Sequence, residues 1–500
     1  MTSHTPPAQL IGAAVALQRA GRVAEAIGAY EHILARWPRL PDCWYNLGVL
    51  LRQARHFDAA LAAYQKALEL GISQPEEVHL NRGVIYADHL VRHDAAEREL
   101  KLAMACNPRY IPALLNFANL CEDLGRRDEA QQGLESVLAL EPTRFEALAR
   151  LAQLQPAGRD NATIIQRLRT ALADPRANSA DRAALGFALG RLLDAAADYP
   201  AAFAAYSAAN RDSRASAPPP GVRYDHRAAE RYVDEVIAHS AAIPLGTART
   251  QGAPQPIFIC GMFRSGSTLT EQLITRHAGV AAGGELDLLN HLVATEFGAF
   301  PAALAELPAG RLESMATRYR AELAQRFGHA KYVTDKRPDN YVYIGLIKAL
   351  FPTARIVHTT RAPLDNCLSI FFLHLDHSMR YALELADIGH HYRQYRRLMA
   401  HWKGLYPDDI YDFDYDEFVR DPAPCAARLF DFLGLTWREE FLAPPGARTA
   451  IKTASVWQVR EPIYQHSSGR ARHYAAQLAE LRTALGDVLP NDARSGAIAR

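Results

Sequence analysis

One stretch of the sequence joins an apolar run, two glycines and a helical pattern, in the order that a phosphate-binding turn needs. Residues 256–274 read Pro-Ile-Phe-Ile-Cys-Gly-Met-Phe-Arg-Ser-Gly-Ser-Thr-Leu-Thr-Glu-Gln-Leu-Ile. This pattern predicts a strand, a loop and a helix. Gly261 and Gly266 let the backbone turn close to a ligand, and the helix start beyond them offers unpaired N–H groups and a positive dipole end. The expected ligand is therefore an anion such as a phosphate.

The loop departs from that of the common nucleoside triphosphatases at one position. The spacing from Gly261 to Gly266 fits the first part of the pattern GxxxxGK[ST], but Ser267 stands where that pattern has the lysine that reaches the β- and γ-phosphates. A magnesium-dependent ATPase or kinase is therefore disfavoured. On this stretch alone, a tight turn in an unrelated α/β domain stays open as an alternative.

A second basic position lies at the end of another predicted strand. The strand over 355–360 leads to Arg361, and Ser369 follows about two turns into a helix that Pro363 begins. Arginine suits phosphate because its planar fork makes paired, charge-assisted hydrogen bonds. On their own, the two residues could equally be a surface ion pair and a helix serine.

The two motifs together resemble those of the sulfotransferases. The segment Arg264-Ser265-Gly266-Ser267-Thr268 resembles the loop that holds the 5′-phosphosulfate of 3′-phosphoadenosine 5′-phosphosulfate (PAPS). Arg361 with Ser369 resembles the motif that binds the 3′-phosphate of the same donor. The resemblance covers residues 256–475. It implies a metal-free transfer that releases 3′-phosphoadenosine 5′-phosphate (PAP).

The resemblance also implies roles for two charged residues near predicted strand ends. The element Gly283-Gly284-Glu285 is similar to that of protein-tyrosine sulfotransferases, which makes Glu285 the counterpart of their general base. Lys336 corresponds to the residue that faces the transferring sulfuryl group or the bridging oxygen and stabilises the leaving phosphate, a task that Arg264 shares. The alternatives are a carboxylate that only charges a helix start and a lysine that is only solvated.

Later segments extend the resemblance to the nucleotide side of the site. Tyr415, after a predicted strand over 410–413, corresponds to a tyrosine that contacts the nucleotide, although core packing is its other interpretation. Ser455 and Arg470 match the serine and the basic residue of a loop that closes over the cofactor. The sequence departs from the family at Ala471, where related sequences commonly have tryptophan.

Short apolar runs alternate with helical patterns throughout the second half of the chain. Strands are predicted over 256–260, 332–334, 355–360 and 410–413. This alternation is typical of a parallel sheet with helices on both faces. Ligands of such sheets bind at the carboxyl ends of the strands, where the polar motifs lie. The predicted fold of residues 256–500 is therefore a P-loop-like α/β domain.

The first half of the sequence repeats itself. A shift of 34 residues aligns Ala26 with Ala60 and Tyr30 with Tyr64, which indicates a repeat architecture. The copy that contains Gly48, Ala60 and Tyr64 resembles the tetratricopeptide consensus, in which each repeat is one helical hairpin. Small residues such as Gly48 let the two helices approach each other. We predict about six hairpins in an all-α solenoid.

The solenoid is predicted to occupy residues 1–213. Residues 214–255 contain proline-rich stretches and are predicted to be a linker with one bridging helix over 227–239. A tetratricopeptide solenoid presents a concave groove, which favours docking of a peptide or partner protein. The alternative is that the repeats only brace the second domain or a dimer, so homo-oligomerisation stays open. The aromatic residues Trp44, Tyr45 and Tyr64 are interpreted as packing residues.

Charge and cysteine content exclude several classes of protein. The 500 residues include 56 basic and 55 acidic ones, so no excess of positive charge favours nucleic acid or a membrane surface as partner. The six cysteines are dispersed, without zinc-ligand spacing. The sequence shows no run of about 18 apolar residues and no N-terminal signal pattern. We expect no metal, no membrane span and a cytoplasmic location.

Together the two resemblances suggest a tetratricopeptide-containing sulfotransferase of bacterial type. The principal hypothesis is transfer of a sulfuryl group from PAPS to an acceptor hydroxyl. The competing hypothesis is a docking scaffold whose α/β half binds a phosphorylated nucleotide without catalysis. The acceptor stays open among a protein tyrosine, a saccharide, a lipid and a small phenol. A protein tyrosine fits both the Gly-Gly-Glu element and repeats that could present a polypeptide.

Overall fold

The computed structural model describes residues 6–156, 161–217, 223–240, 254–298, 300–304, 308–328, 330–443 and 468–490. The chain divides into two compact units, Met1–Leu154 and Gln155–Arg500. The helices of the first unit are α1 (Pro7–Arg19), α2 (Val23–Arg36), α3 (Pro41–Gln53), α4 (Phe57–Glu69), α5 (Pro75–Val84), α6 (His93–Cys106), α7 (Ile111–Asp123), α8 (Arg127–Leu140) and α9 (Phe145–Gln153). A π-helical turn over Ile85–His89 continues α5.

The helical pairs of the first unit pack as the repeat pattern predicts. Proline in the first turn starts α3, since it lacks the N–H that has no partner there. Tyr64 of α4 is fully buried, and a Cβ added to Gly48 of α3 would lie 2.6 Å from its ring. Glycine at this position therefore lets the two helices touch, which confirms the predicted role of Gly48 and the interpretation of Tyr64 as a packing residue.

The second unit contains the remaining helices and the sheet. Its helices are α10 (Ala162–Leu172), α11 (Ser179–Ala195), α12 (Tyr199–Ser216), α13 (His226–Ser240), α14 (Ser267–Ile274), α15 (Leu288–Glu296), α16 (Ala309–Phe327), α17 (Ile344–Leu350), α18 (Pro363–Phe371), α19 (Leu385–Leu405), α20 (Tyr415–Arg420), α21 (Pro422–Leu433) and α22 (Ala479–Leu485). Its strands are β1 (Gln255–Gly261), β2 (Val280–Ala281), β3 (Tyr332–Lys336), β4 (Ile356–Thr360) and β5 (Ile410–Asp414). No helix in the described ranges is long and apolar enough to cross a membrane.

The sheet has the order β2-β3-β1-β4-β5, and every neighbouring pair is parallel. The four predicted strands are confirmed as β1, β3, β4 and β5, whereas the two-residue β2 was too short for its pattern to predict. In the register, Ile259 lies opposite Lys336 on one side, and Gly261 lies opposite Thr359 on the other. The carboxyl ends of β1, β3 and β4 therefore meet at one edge, where ligands of parallel sheets bind.

Helices cover both faces of the sheet. Alternate residues of β1 point to opposite faces. Ile257 and Ile259 belong to an apolar cluster that includes Phe430 of α21. On the opposite face, the Phe258 ring lies 6.2 Å from Tyr319 of α16 and 6.0 Å from Phe351, centroid to centroid. The predicted α/β layering is thus confirmed.

Helices α11 and α12 belong to the same compact unit as the sheet. A Cβ on Gly190 would lie 2.8 Å from the Tyr206 ring, which repeats the packing of Gly48 on Tyr64 at the same spacing. The Tyr206 ring also stacks on Phe372 at 4.0 Å, and Asn210 Nδ2 donates to the Phe371 carbonyl over 2.8 Å. This helical pair therefore packs on the end of α18. The assignment of residues 1–213 to one domain, 214–255 to a linker and 256–500 to another stays a prediction.

Candidate functional site

The loop between β1 and α14 is shaped by three residues with positive φ. Gly261 has φ 150° and Gly266 has φ 103°, while Arg264 adopts φ 68° despite its side chain. A Cβ on Gly261 would lie 2.4 Å from the Thr359 carbonyl, and one on Gly266 would lie 2.7 Å from the Tyr415 ring. Neither position tolerates a side chain without movement. The strained backbone at Arg264 is typical of a functional loop.

Two residues that the sequence did not single out hold this loop in place. Ser265 Oγ lies 2.6 Å from Thr359 Oγ1, which also donates to the Cys260 carbonyl over 3.2 Å. Asn366 Nδ2 donates to the Phe263 carbonyl over 2.6 Å. The buried side chain of Ser265 thus fixes the loop. In the sequence, the position of Thr359 near the end of a predicted strand was a weak sign of a role in the site. For Asn366 the sequence showed only a polar residue within a largely apolar helix.

The predicted 3′-phosphate motif meets the predicted 5′ loop directly. Arg264 Nε donates to Ser369 Oγ over 3.2 Å, and an Arg361 guanidinium nitrogen donates to the Arg264 carbonyl over 3.2 Å. Arg361 is 8% exposed, and its guanidinium lies 5.0 Å from the centre of the Tyr415 ring. Ser267 and Thr268 lie buried at the start of α14. The structure therefore brings both motifs and Tyr415 together.

Glu285 and Lys336 form an ion pair at the end of β3. Lys336 Nζ donates to Glu285 Oε1 over 2.7 Å. The Lys336 side chain is 0% exposed, whereas that of Glu285 is 39% exposed. A buried ammonium needs a partner charge, and the open side of Glu285 leaves room for another hydrogen-bonding group. The arrangement can hold a carboxylate ready to accept a proton next to a fixed positive charge.

Asp335, the neighbour of Lys336 on β3, is buried in a polar cluster of its own. It accepts hydrogen bonds from the Tyr319 hydroxyl and, over 3.0 Å, from Asn340 Nδ2. Burial raises the pKa of Asp335 to about 7, against the opposing effect of these two donors. The strand end therefore carries a second titratable carboxyl group behind Lys336, and no sequence pattern had pointed to it.

The C-terminal residues of the predicted site fall in different places. Ser455 lies outside the described residues. Arg470 pairs with Asp194 of α11 over 2.5 Å, and the Tyr474 hydroxyl donates to the same carboxylate. Arg470 is thus committed to an ion pair that the sequence did not predict, and its nucleotide contact stays a prediction. The role of Asp194 carried no sequence signal, because the two residues are far apart in the chain.

Asp365 ties the segment around Arg470 to the helix that carries Ser369. Its two carboxylate oxygens accept hydrogen bonds from the backbone N–H groups of Gly469, over 2.7 Å, and Ala471, over 2.6 Å. Burial raises the pKa of Asp365, although the two backbone donors oppose this effect. Ala471, where tryptophan was expected from related sequences, is buried and provides one of these donors.

The described residues contain no group of three or more His, Cys, Asp or Glu side chains that could hold a metal ion. Arg264, Arg361 and Lys336 supply positive charge near the loop. Arg264 and Arg361 follow β1 and β4, and Lys336 is the last residue of β3, so all three lie at the carboxyl ends of neighbouring strands. This arrangement can stabilise negative charge without reorganisation, which is how protein groups stabilise transition states electrostatically.

Two known families match parts of the chain. Residues 256–439 match the sulfotransferase family, and residues 11–75 and 45–110 match the tetratricopeptide repeat. An uncharacterized protein from Aquifex aeolicus (strain VF5) is 29% identical over 413 residues, which cover 80% of this chain and 52% of that protein. The chain thus spans about half the length of this relative. The human protein O-mannosyl-transferase TMTC2 is 29% identical over 105 residues, 21% of this chain and 12% of that protein.

Two solved structures are similar in part. The sulfotransferase domain from the curacin biosynthetic pathway has a TM-score of 0.33 and 17% identity, and the match covers 46% of this chain and 99% of that domain. YrrB, a tetratricopeptide protein with an unusual peptide-binding site, has a TM-score of 0.28 and 17% identity, and the match covers 39% of this chain and 89% of YrrB.

Proposed function

We propose that this chain, which carries a sulfotransferase-family domain over residues 256–439, transfers the sulfuryl group of PAPS to an acceptor hydroxyl. One observation carries the proposal. Arg264, in the loop after β1, contacts both Arg361 and Ser369, which follow β4. Two phosphate-binding motifs that meet in this way suit one nucleotide with phosphates at both ends, and a lone nucleoside triphosphate would not need the second.

The chemical character of the residues in and around the loop suits the two phosphate-bearing ends of PAPS. Glycines at 261 and 266 keep side chains out of the turn, and the start of α14 supplies N–H groups and a positive dipole end for the 5′-phosphosulfate. Arg361 and Ser369 would hold the 3′-phosphate through charge-assisted hydrogen bonds. Tyr415, which packs against Gly266 and Arg361, would shape the wall between the two phosphates.

The proposed reaction is an in-line transfer. Glu285 accepts the proton of the acceptor hydroxyl while that oxygen attacks sulfur. The new oxygen–sulfur bond forms as the bond from sulfur to the bridging oxygen of the 5′-phosphate breaks, and PAP leaves with both electrons of that bond. Lys336, buried beside Glu285, stabilises the negative charge that develops on the leaving phosphate. We propose that Arg264 shares this electrostatic task.

We propose a protein tyrosine as acceptor, with a saccharide, a lipid and a small phenol as the other outcomes of the test. The resemblance of Gly283-Gly284-Glu285 to the corresponding element of protein-tyrosine sulfotransferases supports this choice. The tetratricopeptide repeats support it as well, because such solenoids commonly bind peptides. A cytoplasmic location and self-association stay predictions.

The proposal is tested by incubating the purified chain with radiolabelled PAPS and either a tyrosine peptide, a saccharide, a lipid or a phenol. Label in one acceptor, lost in Glu285→Gln, is the expected result. Tight binding of PAP without turnover on any acceptor would favour the scaffold hypothesis. Magnesium-dependent binding of ATP with no preference for a 3′-phosphate would overturn the proposal in favour of a kinase.

A further inference from the structure

Glu271 is a buried carboxylate that the proposed reaction does not use. It lies on α14, one turn beyond the anion-binding loop, and is 4% exposed. Its Oε1 accepts two hydrogen bonds, from the Gly284 N–H over 2.9 Å and from the Thr334 hydroxyl over 2.6 Å. Both donors lie beside the Glu285–Lys336 pair. A carboxylate is costly to bury, so its placement here needs a reason.

The turn that Glu271 contacts carries the proposed base. Gly284 has φ 67°, and a Cβ on Gly283 would lie 1.9 Å from the Thr334 carbonyl. The close approach to β3 therefore requires glycine at position 283, and the positive φ favours glycine at position 284. Since these residues have no side chains to pack, hydrogen bonds must hold the turn in place.

Those hydrogen bonds form a connected set. The Gly283 N–H donates to the Thr334 hydroxyl over 3.0 Å, and that hydroxyl donates to Glu271. The Lys336 N–H donates to the Gly284 carbonyl over 2.9 Å. Glu271 is the acceptor at the end of this set, and it connects the helix of the donor-binding loop to the residue next to Glu285.

We propose that Glu271 is a positioning residue, which holds the Gly283–Gly284 turn against β3 and thereby fixes Glu285 beside Lys336. The inference rests on the proposed function and deepens it. Catalysis depends on placement, because a shift of about 1 Å in a reacting group costs about 10²-fold in rate. The side chain of Glu285 is 39% exposed, so its position depends on the backbone that carries it and on the ion pair with Lys336.

The proposed role requires a hydrogen-bond acceptor rather than a charge. Burial raises the pKa of Glu271, while the charge of Lys336 opposes that rise. A glutamine oxygen can accept the same two bonds without the charge, whereas methionine fills a similar volume and accepts none effectively. Comparison of Glu271→Gln with Glu271→Met therefore shows whether the hydrogen-bond acceptor or the charge matters. Thr334→Ser and Thr334→Val repeat the comparison at the neighbouring hydroxyl.

The experiment measures kcat and KM of the full-length variants with PAPS, together with PAP binding by calorimetry and hydrogen exchange of the peptide around Gly283 and Gly284. We expect Glu271→Met and Thr334→Val to lower kcat about 10- to 100-fold, with KM for PAPS and the Kd of PAP changed less than about threefold. Exchange at the two glycines should rise. Glu271→Gln and Thr334→Ser should keep kcat within about threefold. The matched control is Glu322→Met on the exposed side of α16.

Several results would overturn the inference. A folded Glu271→Met variant that binds PAP and keeps full kcat would do so, as would a Glu271→Gln variant as impaired as Glu271→Met. Unchanged exchange at Gly283 and Gly284 in Glu271→Met would also contradict it. The exchange measurement needs no turnover, so the inference can fail or hold even if the wild-type chain transfers no sulfuryl group and the proposed function fails.

Discussion

Arg264 Nε donates to Ser369 Oγ across 3.2 Å, although 105 residues separate the two in the chain. The contact arises because β1 and β4 are neighbours in the parallel sheet, so the loop after one strand meets the helix after the other. The sheet order, rather than the proximity of the motifs in sequence, creates the candidate nucleotide site.

Replacement of the proposed base should slow turnover strongly and leave nucleotide binding nearly unchanged. Glu285→Gln removes the proton acceptor but keeps a hydrogen-bond acceptor for Lys336, so we expect kcat to fall about 10²- to 10⁴-fold. The Kd of PAP should stay within about threefold of the wild-type value, measured by calorimetry. Glu322→Gln, on the exposed surface of α16, is the control. Full transfer by Glu285→Gln would refute the assignment.

Loss of Arg361, which follows β4, should weaken the binding of nucleotides that carry a 3′-phosphate. Arg361→Ala removes charge-assisted hydrogen bonds worth about 1.5–3 kcal/mol, so PAP should bind about 10- to 100-fold more weakly. Adenosine 5′-phosphate, which lacks the 3′-phosphate, should bind about as before. Arg355→Ala, at an exposed position before β4, serves as control. An equal loss for both nucleotides would place Arg361 elsewhere in the site.

A side chain at the second glycine of the loop should damage both stability and binding. Gly266 has φ 103°, and an added Cβ would lie 2.7 Å from Tyr415, so Gly266→Ala should cost about 1–3 kcal/mol in unfolding free energy. PAP affinity should fall with it. Gly298→Ala, where an added Cβ meets nothing within 4 Å, is the matched control. Wild-type melting and binding for Gly266→Ala would contradict the described loop.

The ion pair between Asp194 and Arg470 should behave as one unit in stability measurements. Removal of either partner leaves the other in a largely covered position, so Asp194→Ala and Arg470→Ala should each lower the unfolding free energy by about 1–3 kcal/mol. The double variant should lose clearly less than the sum of the two. Denaturant melts test this coupling. If only Arg470→Ala weakened PAP binding, the arginine would also serve the nucleotide, as the sequence predicted.

The buried carboxyl of Asp335 should make stability depend on pH. Its pKa is raised by burial from 3.8 to about 7, so the folded state binds more protons than the unfolded state between these values. Protonated Asp335 therefore adds to the free energy of unfolding below about pH 4. This contribution is lost as the pH rises to about 7, and the free energy of unfolding falls by up to about 1.4 kcal/mol per pH unit. Asp335→Asn should remove this part of the pH dependence, as measured by denaturant melts between pH 4 and pH 7. Parallel curves of unfolding free energy against pH for the variant and the wild type would contradict the prediction.

The sequence was sufficient for the features that local patterns encode. Strand patterns, the loop glycines and the Arg361–Ser369 spacing follow from residues close together in the chain. Glu271, Asp365 and Asp194 were missed because their partners lie on other elements, and which elements touch depends on strand order and helix packing. For Glu271 the available signal was weak, namely a carboxylate in the first turns of the helix that follows the glycine loop.

The packing of α12 on the end of α18 has a practical consequence for the production of the sheet-containing part of the chain alone. Asn210 and Tyr206 cover Phe371 and Phe372, immediately beyond Ser369. A fragment that begins near residue 218 would lack Tyr206 and Asn210, and the apolar rings of Phe371 and Phe372 would become exposed to solvent. A fragment that begins at Gln155 keeps them, and we expect it to aggregate less during purification than the shorter fragment.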